Sequence, residues 1–181
     1  MKLLEEIRDS LPNYARDLTL NLGTLLSPSG APGLSERQIW TVALAAAIAA
    51  RNQEFTRDIE SLAQNHLTST ELTTARAAAA IMGMNNVYYR FLHLVDDPEY
   101  ARLPARLRMN VMANMGVDFE LASLAVSSIN GCGSCVAAHA RRLREHGLTR
   151  EAVQSVARIA SVVHAVAGVL GYEAQAVPAE V

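Results

Sequence analysis

Residues 118–147 read DFELASLAVSSINGCGSCVAAHARRLREHG. Apolar residues recur at helical spacing from Asp118 to Asn130, where Asn130-Gly131 stops the helix. Cys132 opens a second helix that ends near Gly147. Thr149 caps the last long helix. Upstream the pattern repeats. Tyr14, Leu18, Leu22 and Leu25 form one stripe, opened by Pro12 near a helix start. A loop from Ser27 to Gly33, rich in Ser, Pro and Gly, ends that region. Ser35 with Gln38 reads as a capping box before a helix over Trp40 to Arg51. Thr68 with Glu71 is another, opening a long helix through Ala77 to Tyr89. Asp96-Asp97-Pro98 then breaks the chain. No stretch sustains two-residue alternation with β-branched enrichment, so strands are not expected. The fold class is all-α, and the many alanines suit close helix packing.

The 181 residues fit a single domain, 1–181, and half of them are apolar. An offset of 81 lays Leu67-Thr68 on Leu148-Thr149, and Trp40–Glu60 on Leu121–Arg141. This suggests two similar helical units, about 35–95 and about 117–175, of which only the second carries thiols. Chance alignment of alanine-rich helices is the alternative. With 16 basic and 18 acidic residues, nothing points to nucleic acid or an anionic membrane as partner. The first 18 residues hold Glu5 and Glu6 and no apolar core, unlike a signal peptide. The apolar run Trp40 to Ala50 is too short to span a bilayer. A soluble, cytoplasmic protein is expected. In a reducing compartment a CxxC is a redox or metal motif more often than a structural staple.

The chain's two cysteines are Cys132 and Cys135, in Cys-Gly-Ser-Cys. A thiolate is the reactive form, and a helix N-terminus favours it through unpaired N–H groups and the dipole. His139 follows Cys135 at i+4 and shares a face with Cys132 at i+7, placing a proton acceptor beside the thiols. Glu120 lies on the preceding helix, two to three turns back from the connection. That is too far along a simple hairpin, unless the second helix crosses over it and the carboxylate orients the imidazole. A zinc site built on Cys132, Cys135 and His139 is the competing reading. It lacks a second ligand pair, with only His66, His93, His146 and His164 scattered elsewhere. No metal is assigned. Met82, Met84, Met109, Met112 and Met115 read as adaptable core packing, Trp40 as core, and His146 as a helix C-terminal cation.

At these residues the sequence resembles the AhpD family, a branch of the carboxymuconolactone decarboxylase-like superfamily. The family pattern is Glu, an eleven-residue gap, Cys-x-x-Cys, three residues and His. It reads here Glu120…Cys132-Gly133-Ser134-Cys135-Val136-Ala137-Ala138-His139. The likeness extends to Leu11-Pro12-x-Tyr14-Ala15-x-Asp17, to Ala79–Arg90 and to Leu107-Arg108-Met109-Asn110. The resemblance implies an all-α homotrimer and a lipoyl-dependent peroxidase. Such an enzyme reduces alkyl hydroperoxides and regenerates a partner peroxiredoxin, AhpC. Its electrons come from dihydrolipoamide on a lipoyl-bearing 2-oxoacid dehydrogenase component, with no cofactor bound. By position, Cys135 becomes the sulfenic-acid-forming nucleophile, and Cys132 the resolving thiol and proton donor. Cys132 and Cys135 form the redox disulfide, and His139 and Glu120 the proton relay. Some relatives carry histidine where this chain has Ser134. A hydroxyl can hydrogen-bond a thiolate but cannot take its proton at neutral pH, which leaves Ser134 a minor role. A dedicated thiol-disulfide adaptor with little peroxidase activity uses the same residues and is the alternative. A non-redox member of the wider superfamily would need no dithiol. At the helix start, Cys132 is expected to be the more exposed sulfur.

Overall fold

The computed structural model describes residues 2–110 and 116–175. Among these residues there is no strand. The helices are α1 (Leu4–Asp9), α2 (Arg16–Leu25), α3 (Glu36–Ala50), α4 (Gln53–Ala63), α5 (Ser69–Leu94), α6 (Pro98–Arg102), α7 (Val117–Ile129), α8 (Gly133–Glu145) and α9 (Arg150–Glu173). A 3₁₀ turn, Asn13–Ala15, leads into α2.

Two largely apolar helices are buried on every side over most of their length and sit at the centre. α3 buries every residue from Ile39 to Ala47. α7 buries every residue from Phe119 to Ser127. α3 packs on α4, α5, α7 and α9, and α7 packs on α3, α5, α8 and α9. Ala43, Ala45, Ala46 and Ala47 of α3 and Ala122 and Ala125 of α7 are fully buried. Their small side chains let the backbones approach closely.

α9 is long and apolar enough, by length and composition alone, to cross a membrane. In the fold its apolar face, including Val156, Ile159, Val163 and Val166, is spent on the core. It packs on α2, α3, α7 and α8.

Both capping boxes form. Ser35 accepts from the Gln38 N–H, and its own N–H donates to Gln38 Oε1 at 3.0 Å. The Thr68 N–H donates to Glu71 Oε2 at 2.8 Å. Burial pushes the Glu71 carboxyl up, but hydrogen bonds from Thr68 and Arg37 outweigh it and hold the group below its usual range. Asp97 caps α6 directly after the expected break. Trp40 is buried and stacks on His66, with ring centroids 4.7 Å apart.

One stripe residue departs from expectation. Tyr14 is 68 % exposed and donates its hydroxyl to Glu173 Oε1, 2.6 Å away. It lies in the 3₁₀ turn, whose three residues per turn put it out of phase with Leu18, Leu22 and Leu25. α1, α4 and α6 add to the helices expected. Of the methionines, Met82 is buried and Met84 and Met109 are partly so. Met112 and Met115 lie outside the described residues.

Candidate active site

The connection between α7 and α8 builds the site. Gly131 has φ +68°, a left-handed conformation that suits glycine. Its N–H donates to Ser128 O at 3.3 Å, and the Cys132 N–H donates to Ser127 O at 3.1 Å. These are the paired bonds of a Schellman ending, which satisfies the last carbonyls of α7. Gly147 closes α8 in the same way, with φ +88° and a bond from the Leu148 N–H to Leu143 O at 3.1 Å. Cys132 is the N-cap of α8 and makes no side-chain capping bond, so the first turn keeps its N–H groups and dipole for an anion.

α8 is amphipathic, and its buried residues are Cys135, His139 and Leu143. Spacing of four puts them on one stripe. The stripe that anchors α8 therefore also carries two of the candidate site residues, Cys135 and His139. α8 folds back along α7, and this brings Glu120 to His139. Glu120 Oε2 lies 2.6 Å from His139 Nδ1. The expectation that a simple hairpin leaves Glu120 too far is overturned: α8 runs back beside α7, and His139, about two turns along α8, comes level with Glu120. Arg142 Nη1 donates to the other oxygen, Oε1, at 3.0 Å. Glu120 is 7 % exposed and His139 4 %. Burial pushes the Glu120 carboxyl up, but the hydrogen bond and charge of His139, joined by Arg142, more than offset it and hold the group below its usual range. Glu120 is thus a carboxylate accepting from Nδ1–H. The other ring nitrogen, Nε2, lies 3.3 Å from Met82 Sδ.

Cys132 and Cys135 form a disulfide, with Cα atoms 5.3 Å apart. Their relative exposure reverses the expectation, because Cys132 is 0 % exposed and Cys135 8 %. The Cys132 N–H bonds to Ser127 O at the end of α7, whereas Cys135 lies one turn along on the buried stripe and lines a cavity. Ser134 is exposed, and its Oγ lies 3.6 Å from Cys132 Sγ. A cavity of about 210 Å³ is lined by Cys135, His139, Met82, Tyr89, Met109 and Arg142, among others. A larger cleft of about 830 Å³ borders α4 and the end of α9, and none of the thiol-site residues lines it.

Supporting polar groups lie behind the site. Asn86 Nδ2 donates to Ser127 Oγ at 2.9 Å, and Asn130 Nδ2 donates to Asn86 Oδ1 at 3.0 Å. Arg90 donates to Asn130 O at 2.6 Å. These bonds tie α5 to the α7–α8 corner. Sequence reasoning brought out Glu120, Cys132, Ser134, Cys135 and His139, and the structure gathers them at one helix junction. It did not single out Arg142 or Asn86, and it read Met82 as core packing and not as a neighbour of His139. Arg142 was detectable as i+3 from His139. The Asn85-Asn86 pair in an otherwise apolar stretch of α5 was a further sign, since a buried amide needs partners. Among the described residues, no cluster of three His, Cys, Asp or Glu side chains could hold a metal.

The comparisons agree with this geometry. The carboxymuconolactone decarboxylase family model matches residues 98–176. A protein named alkyl hydroperoxide reductase AhpD from Rhodospirillum centenum is 52 % identical over 174 residues, covering 94 % of this chain and 92 % of its own. One of the same name from Frankia alni is 55 % identical over 164 residues, covering 89 % and 87 %. Another from Coxiella burnetii is 51 % identical over 170 residues, covering 92 % and 96 %. Similarity at this level over nearly the whole length is a family relationship, and the chain belongs to the AhpD family.

Proposed function

We propose that the chain is an antioxidant dithiol peroxidase that reduces alkyl hydroperoxides. The observation that carries this reading is the buried Glu120–His139 pair, whose imidazole lines the same cavity as Cys135. His139, oriented by Glu120, takes the Cys135 proton at Nε2. The thiolate attacks the terminal peroxide oxygen, the O–O bond breaks, and the alkoxide leaves as the alcohol after taking the proton back from His139. The Cys135 sulfenic acid then condenses with the Cys132 thiol, releasing water and forming the disulfide. Dihydrolipoamide on a lipoyl-bearing 2-oxoacid dehydrogenase component reduces it by thiol exchange. An AhpC-type peroxiredoxin is the protein that the reduced dithiol regenerates. The names of the relatives, alkyl hydroperoxide reductase, support the peroxide substrate.

Ser134 in place of an imidazole leaves His139 as the relay's only ring at the dithiol. A homotrimer is supported by exposed apolar side chains on the later part of α5 and beyond it: Val87, Phe91, Leu94, Leu103 and Leu107. Exposed apolar area of this kind marks interfaces. Two similar helical units are supported by helix starts: Ser69 and Arg150 open α5 and α9 at an offset of 81. A cytoplasmic setting suits a dithiol that must be re-reduced.

The test uses Cys132→Ser, which leaves Cys135 without a resolving thiol. With tert-butyl hydroperoxide and dimedone, mass spectrometry should find the sulfenic-acid adduct on Cys135. An unlabelled Cys135 alongside unconsumed peroxide rules out its role as the nucleophile.

A further inference from the structure

Met82 sits where the His139 ring meets the cavity. Its side chain is 1 % exposed to the outside, yet it lines the cavity shared by Cys135 and His139. Its Sδ lies 3.3 Å from His139 Nε2, within reach of a sulfur hydrogen bond. Asn86 Nδ2 approaches the same sulfur at 3.9 Å. Nδ1 is engaged by Glu120, so Nε2 is the only ring atom left to serve a thiol. A protonated Nε2 therefore has two claimants, the thioether and the dithiol. A thioether is a weak acceptor and gives way easily.

We propose that Met82 is a peroxide-modified residue whose sulfoxide arrests the relay. The proposal rests on the peroxidase reading for its oxidant, an alkyl hydroperoxide held in the cavity. The thioether sulfur attacks the terminal peroxide oxygen. The O–O bond breaks, an S–O bond forms, and the alkoxide leaves as the alcohol after taking the hydroperoxide proton. The methionine is oxidised by two electrons and the peroxide is reduced by two. The product oxygen is a far stronger acceptor than the sulfur it replaces. It holds Nε2–H away from Cys135, and turnover stops while the dithiol remains intact. Met84 and Met109 are the internal controls. Met84 does not line the cavity, and Met109 lines it on the side of Tyr89, whose hydroxyl is 3.9 Å from the Met109 sulfur.

The experiment exposes the full chain and Met82→Leu to excess tert-butyl hydroperoxide during turnover with dihydrolipoamide. Met→Leu nearly conserves volume and is tolerated in cores. Each rate is normalised to that variant's own fresh value. Fragment mass spectrometry maps oxidation at Met82, Met84, Met109 and Cys135. The expected result is Met82 sulfoxide rising in step with lost turnover, ahead of Met84 and Met109. Met82→Leu should lose its starting rate at least threefold more slowly. An unoxidised Met82 when half the turnover is gone overturns the proposal, as does a Leu variant that declines at the wild-type rate. Fresh wild-type protein that never consumes peroxide refutes the peroxidase reading instead, and an unoxidised Met82 in that sample overturns this proposal too.

Discussion

Glu120→Gln changes one oxygen to an amide nitrogen and removes a charge while keeping the shape. The carboxylate accepts two bonds, from His139 Nδ1 at 2.6 Å and Arg142 Nη1 at 3.0 Å. A glutamine offers one acceptor and one donor arm, so one of these bonds becomes donor against donor. A hydrogen bond to a charged group contributes about 1.5–3 kcal/mol. If that bond holds the imidazole through proton transfer, the whole amount enters the barrier and kcat falls about 10- to 150-fold. A comparable loss of stability lowers Tm by about 3–12 °C for a domain of this size. The assay compares initial rates of hydroperoxide consumption at saturating dihydrolipoamide, with circular dichroism melts on the same samples. Glu120→Asp, which keeps the charge on a shorter arm, should recover part of the rate. A folded Glu120→Gln protein with kcat within twofold of wild type would refute the relay argument.

The depressed Glu120 carboxyl sets a pH signature. Its folded pKa lies below the unfolded value, so its stabilisation is present above about pH 4.3 and is lost as pH falls through the folded pKa. The stability gap between wild type and Glu120→Gln, read from urea melts, should therefore be widest near neutrality and close on acidification. A gap that stays constant down to about pH 3 would mean that the charge contributes nothing. Leu143 is fully buried on the same stripe of α8 as Cys135 and His139. Leu143→Ala should cost about 2–5 kcal/mol in urea unfolding, and a loss below about 1 kcal/mol would show that α8 is not anchored through this stripe.

Much of this arrangement was legible in the residues. Ser35 with Gln38, Thr68 with Glu71, and Asn130-Gly131 mark helix ends because each satisfies backbone groups locally. Periodicity placed His139 under Cys135 because i and i+4 share a face on any α-helix. The contact of Glu120 with His139 was open, since it depends on how α8 lies against α7, and that is set by tertiary packing. The burial of Cys132 was misjudged for a similar reason. Its exposure is decided by the bond from its N–H to Ser127 O, a feature of the corner and not of helix position. Met82 sits far along the chain in α5, and no local pattern ties it to His139.

The most direct test of the account is NADH oxidation coupled through dihydrolipoamide dehydrogenase and lipoamide to tert-butyl hydroperoxide, run on wild type beside Cys135→Ser. The account predicts steady turnover in the wild type and none in the variant. Turnover that persists in Cys135→Ser, or a folded wild type that consumes no NADH, would contradict it.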